Sequence, residues 1–258
     1  MSSDRTFVFL GTGTSVGVPM IGCDCPVCHS ENPKNHRYRS SALIQTPAGN
    51  ILIDSGPELR LQLVRERVRF VHAVLYTHFH VDHLYGLDDL RLVAKYLNGP
   101  VPLFCTEEVE HVIRRVFSYA FVDEDAPIGF VPKLFFNRIT DQPFDVLDQR
   151  VTPIPLIHSK FNVFGFRIGD LAYCTDVSEI PESSWPLLDG VRILIIDALR
   201  FKSHPAHMGL NEALEVIERV NPERAYLTHM SHEFDYEVLP SKLPGGVFMG
   251  YDGLRFPF

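Results

Sequence analysis

Apolar and polar positions along this chain keep two rhythms. Residues 7–10 form a short apolar run, and 41–46 and 50–54 are strand-like runs parted by Pro47, Ala48 and Gly49, which predicts a hairpin. Residues 71–77 and 101–105, rich in apolar and β-branched side chains, read as further strands, the first of them buried. Helical spacing sets in at 58–68, where Leu59, Leu63 and Val64 share a face, then at 84–96, at 107–119 behind a Thr106 cap, and at 211–220 before Asn221 and Pro222. The second half returns to short strands at 151–157, 163–168, 171–175, 193–196 and 225–228. Four of them lead into a polar residue: His158, Asp176, Asp197 and His229. Repeated delivery of such residues at strand ends is what a site along one sheet edge requires. Two strand-rich halves with flanking helices predict an α+β architecture, two mixed sheets face to face with helices outside, rather than one doubly wound parallel sheet.

One stretch breaks the rhythm. His78, His80, Asp82 and His83 fall within six residues directly after the 71–77 strand, which places them on a loop at its end. Three imidazoles and a carboxylate suit no core, because each needs a polar partner once buried, whereas they suit transition-metal ions that take N and O donors. Asp54, at the end of its own strand, is equally suited to holding a nearby metal-site loop or to capping the 58–68 helix.

Composition narrows the classes. Hydrophobic residues at 45% and charged residues at 22% are ordinary for a globular chain of 258 residues, and no apolar run approaches the roughly 20 residues of a membrane helix. The first residues carry no signal-peptide pattern, so a cytoplasmic location and no membrane partner are expected. A formal charge of −8 disfavours nucleic acid, whose binding leans on Lys and Arg contacts to phosphates. Of the five cysteines, Cys105 and Cys174 sit in apolar runs as small buried thiols, while Cys23-x-Cys25-x-x-Cys28 points to zinc. The glycine-rich stretch 11–19 matches neither a Walker loop nor a dinucleotide fingerprint. The aromatic-rich segment 117–136 reads as packing before it reads as a substrate-facing wall. His36, His72 and His111 are expected at the surface.

The series His78-x-His80-x-Asp82-His83, with Gly86 beyond it, resembles the signature of the metallo-β-lactamase superfamily, and Asp54-Ser55-Gly56, His158, Asp176 and His229 follow in that family's order. Within it, residues 10–15, the cysteine series and Thr228-His229-x-x-His232 resemble the phosphodiesterases of the carbon–phosphorus lyase pathway of phosphonate metabolism, which hydrolyse 5-phosphoribosyl 1,2-cyclic phosphate. The resemblance spans most of the chain. It implies one domain over 1–258, a four-layer αβ/βα sandwich of two mixed β-sheets with outer helices, and a zinc-binding loop at 22–29. It implies a first metal held by His78, His80 and His158, a second by Asp82, His83 and His229, and Asp176 bridging them, with Zn²⁺, Mn²⁺ or Fe²⁺ as the ions. Two such ions about 3.5–4 Å apart can share a hydroxide and clamp phosphoryl oxygens.

By the same resemblance His232 completes a structural zinc site with the three thiols, His29 being awkwardly close to Cys28. His207, just before the 211–220 helix, is the expected proton donor, with His204 its rival. The expectation is thus a metallohydrolase acting on a small-molecule phosphodiester and forming a homodimer. The alternatives are a transfer-RNA 3′-processing endonuclease, a cofactor-biosynthesis hydrolase of the same superfamily, or a non-enzymatic binding module whose metals are structural.

Overall fold

The computed structural model describes residues 5–123 and 126–258. Residues 1–4, read above for a leader, and 124–125, within the aromatic segment, lie outside the described residues. In chain order the first half forms β1 (Thr6–Gly11), β2 (Ser41–Thr46), β3 (Gly49–Ile53), α1 (Leu59–Arg65), β4 (Ala73–Leu75), α2 (Val81–Leu84), α3 (Leu90–Leu97), β5 (Val101–Cys105), α4 (Glu107–Val116) and β6 (Leu134–Arg138). The second forms β7 (Phe144–Val146), β8 (Gln149–His158), β9 (Phe161–Ile168), β10 (Leu171–Cys174), α5 (Trp185–Leu188), β11 (Ile193–Asp197), α6 (Leu210–Val220), β12 (Arg224–Thr228), β13 (Val247–Met249) and β14 (Arg255–Pro257). Two seven-stranded sheets result, ordered β14-β1-β2-β3-β4-β5-β6 and β13-β12-β11-β10-β9-β8-β7. Each mixes antiparallel pairs with a parallel run, β3 to β6 in one and β10 to β13 in the other.

Period-two alternation builds the layers. Phe7, Phe9, Ile51, Ile53 and Leu75 point between the sheets, where they meet Val151, Phe166, Tyr173 and Ile195. Their neighbours Val8, Leu10, Leu52 and Val74 point outward onto Leu59, Leu63, Val93, Val109 and Ile113 of the helices. On the other sheet Ala172, Cys174, Leu194 and Ile196 pack outward against Leu188, Ala213, Val216 and Ile217. Burying a strand on both faces demands a continuous apolar run, which the parallel strands carry. This is the expected four-layer sandwich.

Three local expectations change. The strand read over 71–77 is paired as a strand only at Ala73–Leu75, and the histidine stretch is not a plain loop, because α2 starts at Val81 and puts Asp82 and His83 on its first turn. The helix expected over 84–96 is broken into α2, a single 3₁₀ turn at Leu87–Asp89 and α3. Gly86 explains the break: its amide donates to Ser55 O at 2.8 Å, and a Cβ there would lie 2.0 Å from Gly56 O. Two prolines sit inside β8 without cost, since its pairing with β7 stops at Val151 and Pro153 and Pro155 lie beyond. Past that point Phe164 of β9 donates its amide to Thr77 O at 3.1 Å and ties the two sheets together at the edge where the polar residues gather.

Candidate metal centre

β3 and β4 run parallel in one sheet, β8, β10, β11 and β12 share one direction in the other, and their ends bring Asp54, His78, His158, Asp176, Asp197 and His229 together. Asp54 and His229 directly follow β3 and β12, and Asp176 lies two residues past β10, with φ of 62°, 56° and 53°. Left-handed backbone is uncommon for residues other than glycine and collects at functional sites, where packing holds the strain.

The donors form two adjoining groups. His78, His80 and His158 offer ligand atoms within 4.8 Å of one another, and so do Asp82, His83, Asp176 and His229. Asp176 joins them: one oxygen lies 3.0 Å from His83 Nε2, and the other is 3.9 Å from His78 Nε2 and 4.0 Å from His158 Nε2. Burial disfavours its charge, but His229 and His83 outweigh burial and hold its carboxyl well below the usual range. All seven residues expected around two metals are therefore brought together.

The imidazoles are aimed by what lies behind them. His83 Nδ1 donates to Asp54 Oδ2 at 2.7 Å, and Asp54 is held by the Thr77 amide and hydroxyl, each at 2.8 Å. The Thr77 hydroxyl in turn accepts from His78 Nδ1 at 2.9 Å. His158 Nδ1 donates to Ala206 O at 2.6 Å, and His229 Nδ1 to Ser40 Oγ at 3.1 Å, whose own proton goes to Gly13 O. In His78, His83 and His158 the Nδ1 is thus occupied and Nε2 is left to face the centre, while His229 Nδ1 also lies 3.3 Å from Asp176 Oδ1. His78 Nε2, His83 Nε2, His229 Nε2 and Asp82 Oδ2 are buried without a hydrogen-bond partner among the described residues. Buried polar atoms left so are rare and costly. Nitrogen and oxygen donors that converge unpaired fit divalent cations. Asp54 thus orients the His83 imidazole, and Glu58 rather than Asp54 occupies the start of α1.

His207 stands beside these groups. Its ring stacks on His229 at 4.7 Å and lies 4.6 Å from His158, while Nδ1 donates to Asp197 Oδ2 at 2.7 Å. Burial opposes a charge on the imidazole, yet the Asp197 carboxylate and its hydrogen bond push the pKa up to about 9. Burial raises Asp197 to about 6 against the pull of His207. Near neutral pH the pair is therefore imidazolium and carboxylate. His204 is half-buried one ring away, at 5.4 Å, and its Nδ1 accepts from the Ala206 amide, so the geometry favours His207 of the two.

The three thiols surround His232 Nδ1 at 3.1, 3.4 and 3.6 Å for Cys23, Cys25 and Cys28. Burial works against a thiolate at Cys25, but the Cys28 amide, the two other thiols and His232 together outweigh it and bring the pKa to about 6. Such a set fits a closed tetrahedral zinc. His29 is exposed beside Asp24 and takes no part. Met230, between His229 and His232, is fixed by its amide on Thr12 O at 2.9 Å, and Arg37 clamps Ser231 O at 3.0 Å. The glycine-rich run serves this packing: a Cβ on Gly11 would lie 2.0 Å from Arg39 O and one on Gly13 2.7 Å from Arg37 O. In the aromatic segment Phe117, Phe121 and Phe136 pack on the outer helical core, while Phe130 and Phe135 face solvent. His36 and His111 are exposed as expected, whereas His72 is half-buried with Nδ1 accepting from the Asn50 amide.

Sequence reasoning gave no role to Ser40, Thr77, the Ala206 carbonyl or Asp197. Only Asp197 left a signal, as a carboxylate closing an apolar strand.

The profile of the beta-lactamase superfamily domain matches residues 49–230. A solved structure of a new diphosphatase from the PhnP family is 37% identical with a TM-score of 0.93, covering 100% of this chain and 98% of that one. The octanoyltransferase of Porphyromonas gingivalis is 36% identical over 252 residues, 96% of this chain but 50% of that protein, so the chain spans about half of that relative's length. Zn²⁺-bound PqqB from Methylobacterium extorquens, 20% identical with a TM-score of 0.78 over 98% of this chain and 100% of that one, shares the fold. Among the described residues no helix is long and apolar enough to cross a membrane.

Proposed function

The chain belongs to the beta-lactamase superfamily, and from that premise we propose that this metallohydrolase is a phosphodiesterase acting on a small cyclic phosphodiester such as 5-phosphoribosyl 1,2-cyclic phosphate. The observation that carries the reading is the convergence of seven donors, four of their atoms buried without a hydrogen-bond partner among the described residues, beside His207, whose Nδ1 is bound to Asp197. The diphosphatase that is 37% identical over the whole chain supports a phosphorus centre over a lactam or thioester.

His78, His80 and His158 would hold one divalent cation, Asp82, His83 and His229 another, and Asp176 both. When bound, such a pair supplies Lewis acidity toward phosphoryl oxygens and makes water nucleophilic near neutral pH. The protein's own groups do the rest. Asp54, Thr77, Ala206 and Ser40 fix the imidazoles so that no reorganisation is needed during reaction. His207, its Nδ1 committed to Asp197, has Nε2 free to protonate the departing alkoxide, and Asp197 is held by the Val177 amide at 3.0 Å. Cys23, Cys25, Cys28 and His232 would hold a structural zinc that pins the chain three residues after His229.

A turnover panel tests this. Cyclic ribose phosphates, cyclic nucleotides, a diphosphate, bis(p-nitrophenyl) phosphate and precursor transfer RNA are assayed with Mn²⁺ and with Zn²⁺. Cleavage of the cyclic diesters is expected; cleavage of precursor transfer RNA alone would overturn the reading.

A further inference from the structure

Three threonines hold the same place in the chain, each directly before a residue of the centre: Thr77 before His78, Thr175 before Asp176 and Thr228 before His229. All three are buried. A buried hydroxyl costs stability unless it is hydrogen-bonded, and valine has nearly the same shape with no polar atom to bury. The Thr77 hydroxyl is used, between Asp54 and His78. The Thr228 hydroxyl has no hydrogen-bond partner among the described residues, and neither has that of Tyr173, which is buried two residues before Thr175. The Thr175 hydroxyl, by contrast, donates to Asp176 Oδ1 at 2.7 Å. Of the buried hydroxyls of Tyr173, Thr175 and Thr228, only that of Thr175 is committed, and it is committed to the carboxylate that joins the two donor groups.

Asp176 needs such a donor. Its Oδ1 lies 3.0 Å from His83 Nε2 and 3.3 Å from His229 Nδ1, whereas Oδ2 lies 3.9 Å from His78 Nε2 and 4.0 Å from His158 Nε2. Serving both groups at once requires the carboxylate plane to keep one angle, yet the torsion that sets this angle ends on an sp² carbon and is broad. A quarter-turn takes both oxygens out of line together. The backbone is fixed separately, by the Val177 amide on Asp197 Oδ2 at 3.0 Å, and that leaves the plane free. Thr175 is β-branched, so its own χ1 is restricted, and its buried hydroxyl is a fixed point beside the carboxylate. We propose that Thr175 is a positioning residue: its hydroxyl holds the plane of the Asp176 carboxylate so that one oxygen serves His78, His80 and His158 and the other serves Asp82, His83 and His229. The inference rests on the reading of two metals at this centre.

Equilibrium dialysis of the full chain against graded Mn²⁺, with zinc counted separately, gives the number and strength of the sites. The wild-type chain is expected to take up two Mn²⁺. In Thr175→Val, which keeps the shape and removes the donor, the more weakly held Mn²⁺ is expected to bind about 10–100-fold less tightly, with zinc content and melting temperature kept. Thr175→Ser restores the donor and should restore the affinity. Thr228→Val removes a hydroxyl from the equivalent place, one that bonds nothing among the described residues, and should bind Mn²⁺ as the wild type does. Wild-type affinity in Thr175→Val would overturn the proposal. So would an equal loss in Thr228→Val, or a Thr175→Ser variant as weak as Thr175→Val. A wild-type chain that takes up fewer than two Mn²⁺ would overturn the two-metal reading, and the proposal with it, before any variant is made.

Discussion

The two sheets equip the centre in opposite ways. The first sheet gives His78, His80, Asp82 and His83 from one strand end and one short helix, and two of these imidazoles hang on one buried network, Thr77 with Asp54. The second gives one residue from each of several strands, and His158, His229 and His207 are each fixed by a separate partner: a carbonyl, a hydroxyl and a carboxylate. A shared anchor concentrates risk in one residue, whereas separate anchors spread it. The first arrangement is compact in sequence, the second only in space.

Asp176 is where the two halves meet, and its loss should break the comparison altogether. Asp176→Ala is expected to bring turnover below detection with the fold retained, because the carboxylate that faces both donor groups is gone. Circular dichroism with metal analysis checks it; measurable activity at wild-type levels would refute the bridging role.

Next in size is His207→Ala, which belongs wholly to the second half. A rate loss of about 10²–10⁴ is expected for a general acid, with two metals still bound. Metal analysis separates this from Asp176→Ala. Loss of both metals would make His207 a ligand, an arrangement its distance to His158 and Asp176 also permits.

These contrasts account for what the sequence revealed. The contiguous histidine series was legible because four polar donors in six residues have no other use, and the strand-end residues because each closes an apolar run. The start of α2 at Val81 was not, since Gly86 must pass under Gly56 and that contact exists only in three dimensions. Ser40 and Thr77 were invisible for a different reason: a lone hydroxyl carries no spacing, and a backbone carbonyl such as that of Ala206 carries no residue type at all. Asp54 stood between two roles until its oxygens were seen to accept from Thr77 and His83.

The structural zinc gives a control outside both halves. Cys25→Ser should lower zinc by about one per chain and reduce thermal stability, because structural zinc contributes folding energy. Unchanged zinc content would remove the site.

The finest distinction lies between the two kinds of anchor. Asp54→Asn should weaken metal binding by about 10–100-fold, since the amide replaces one acceptor by a donor facing Thr77 or His83 and leaves both His78 and His83 less well held. Ser40→Ala removes a single neutral hydrogen bond behind His229, which is worth about 0.5–1.5 kcal/mol, so a several-fold change is expected. Titration of the apo-protein with Mn²⁺ compares them directly. If Ser40→Ala matched Asp54→Asn, the anchors of the second sheet would be as interdependent as those of the first, and Gly13 O, which accepts from the Ser40 hydroxyl, would be the place to look for the connection.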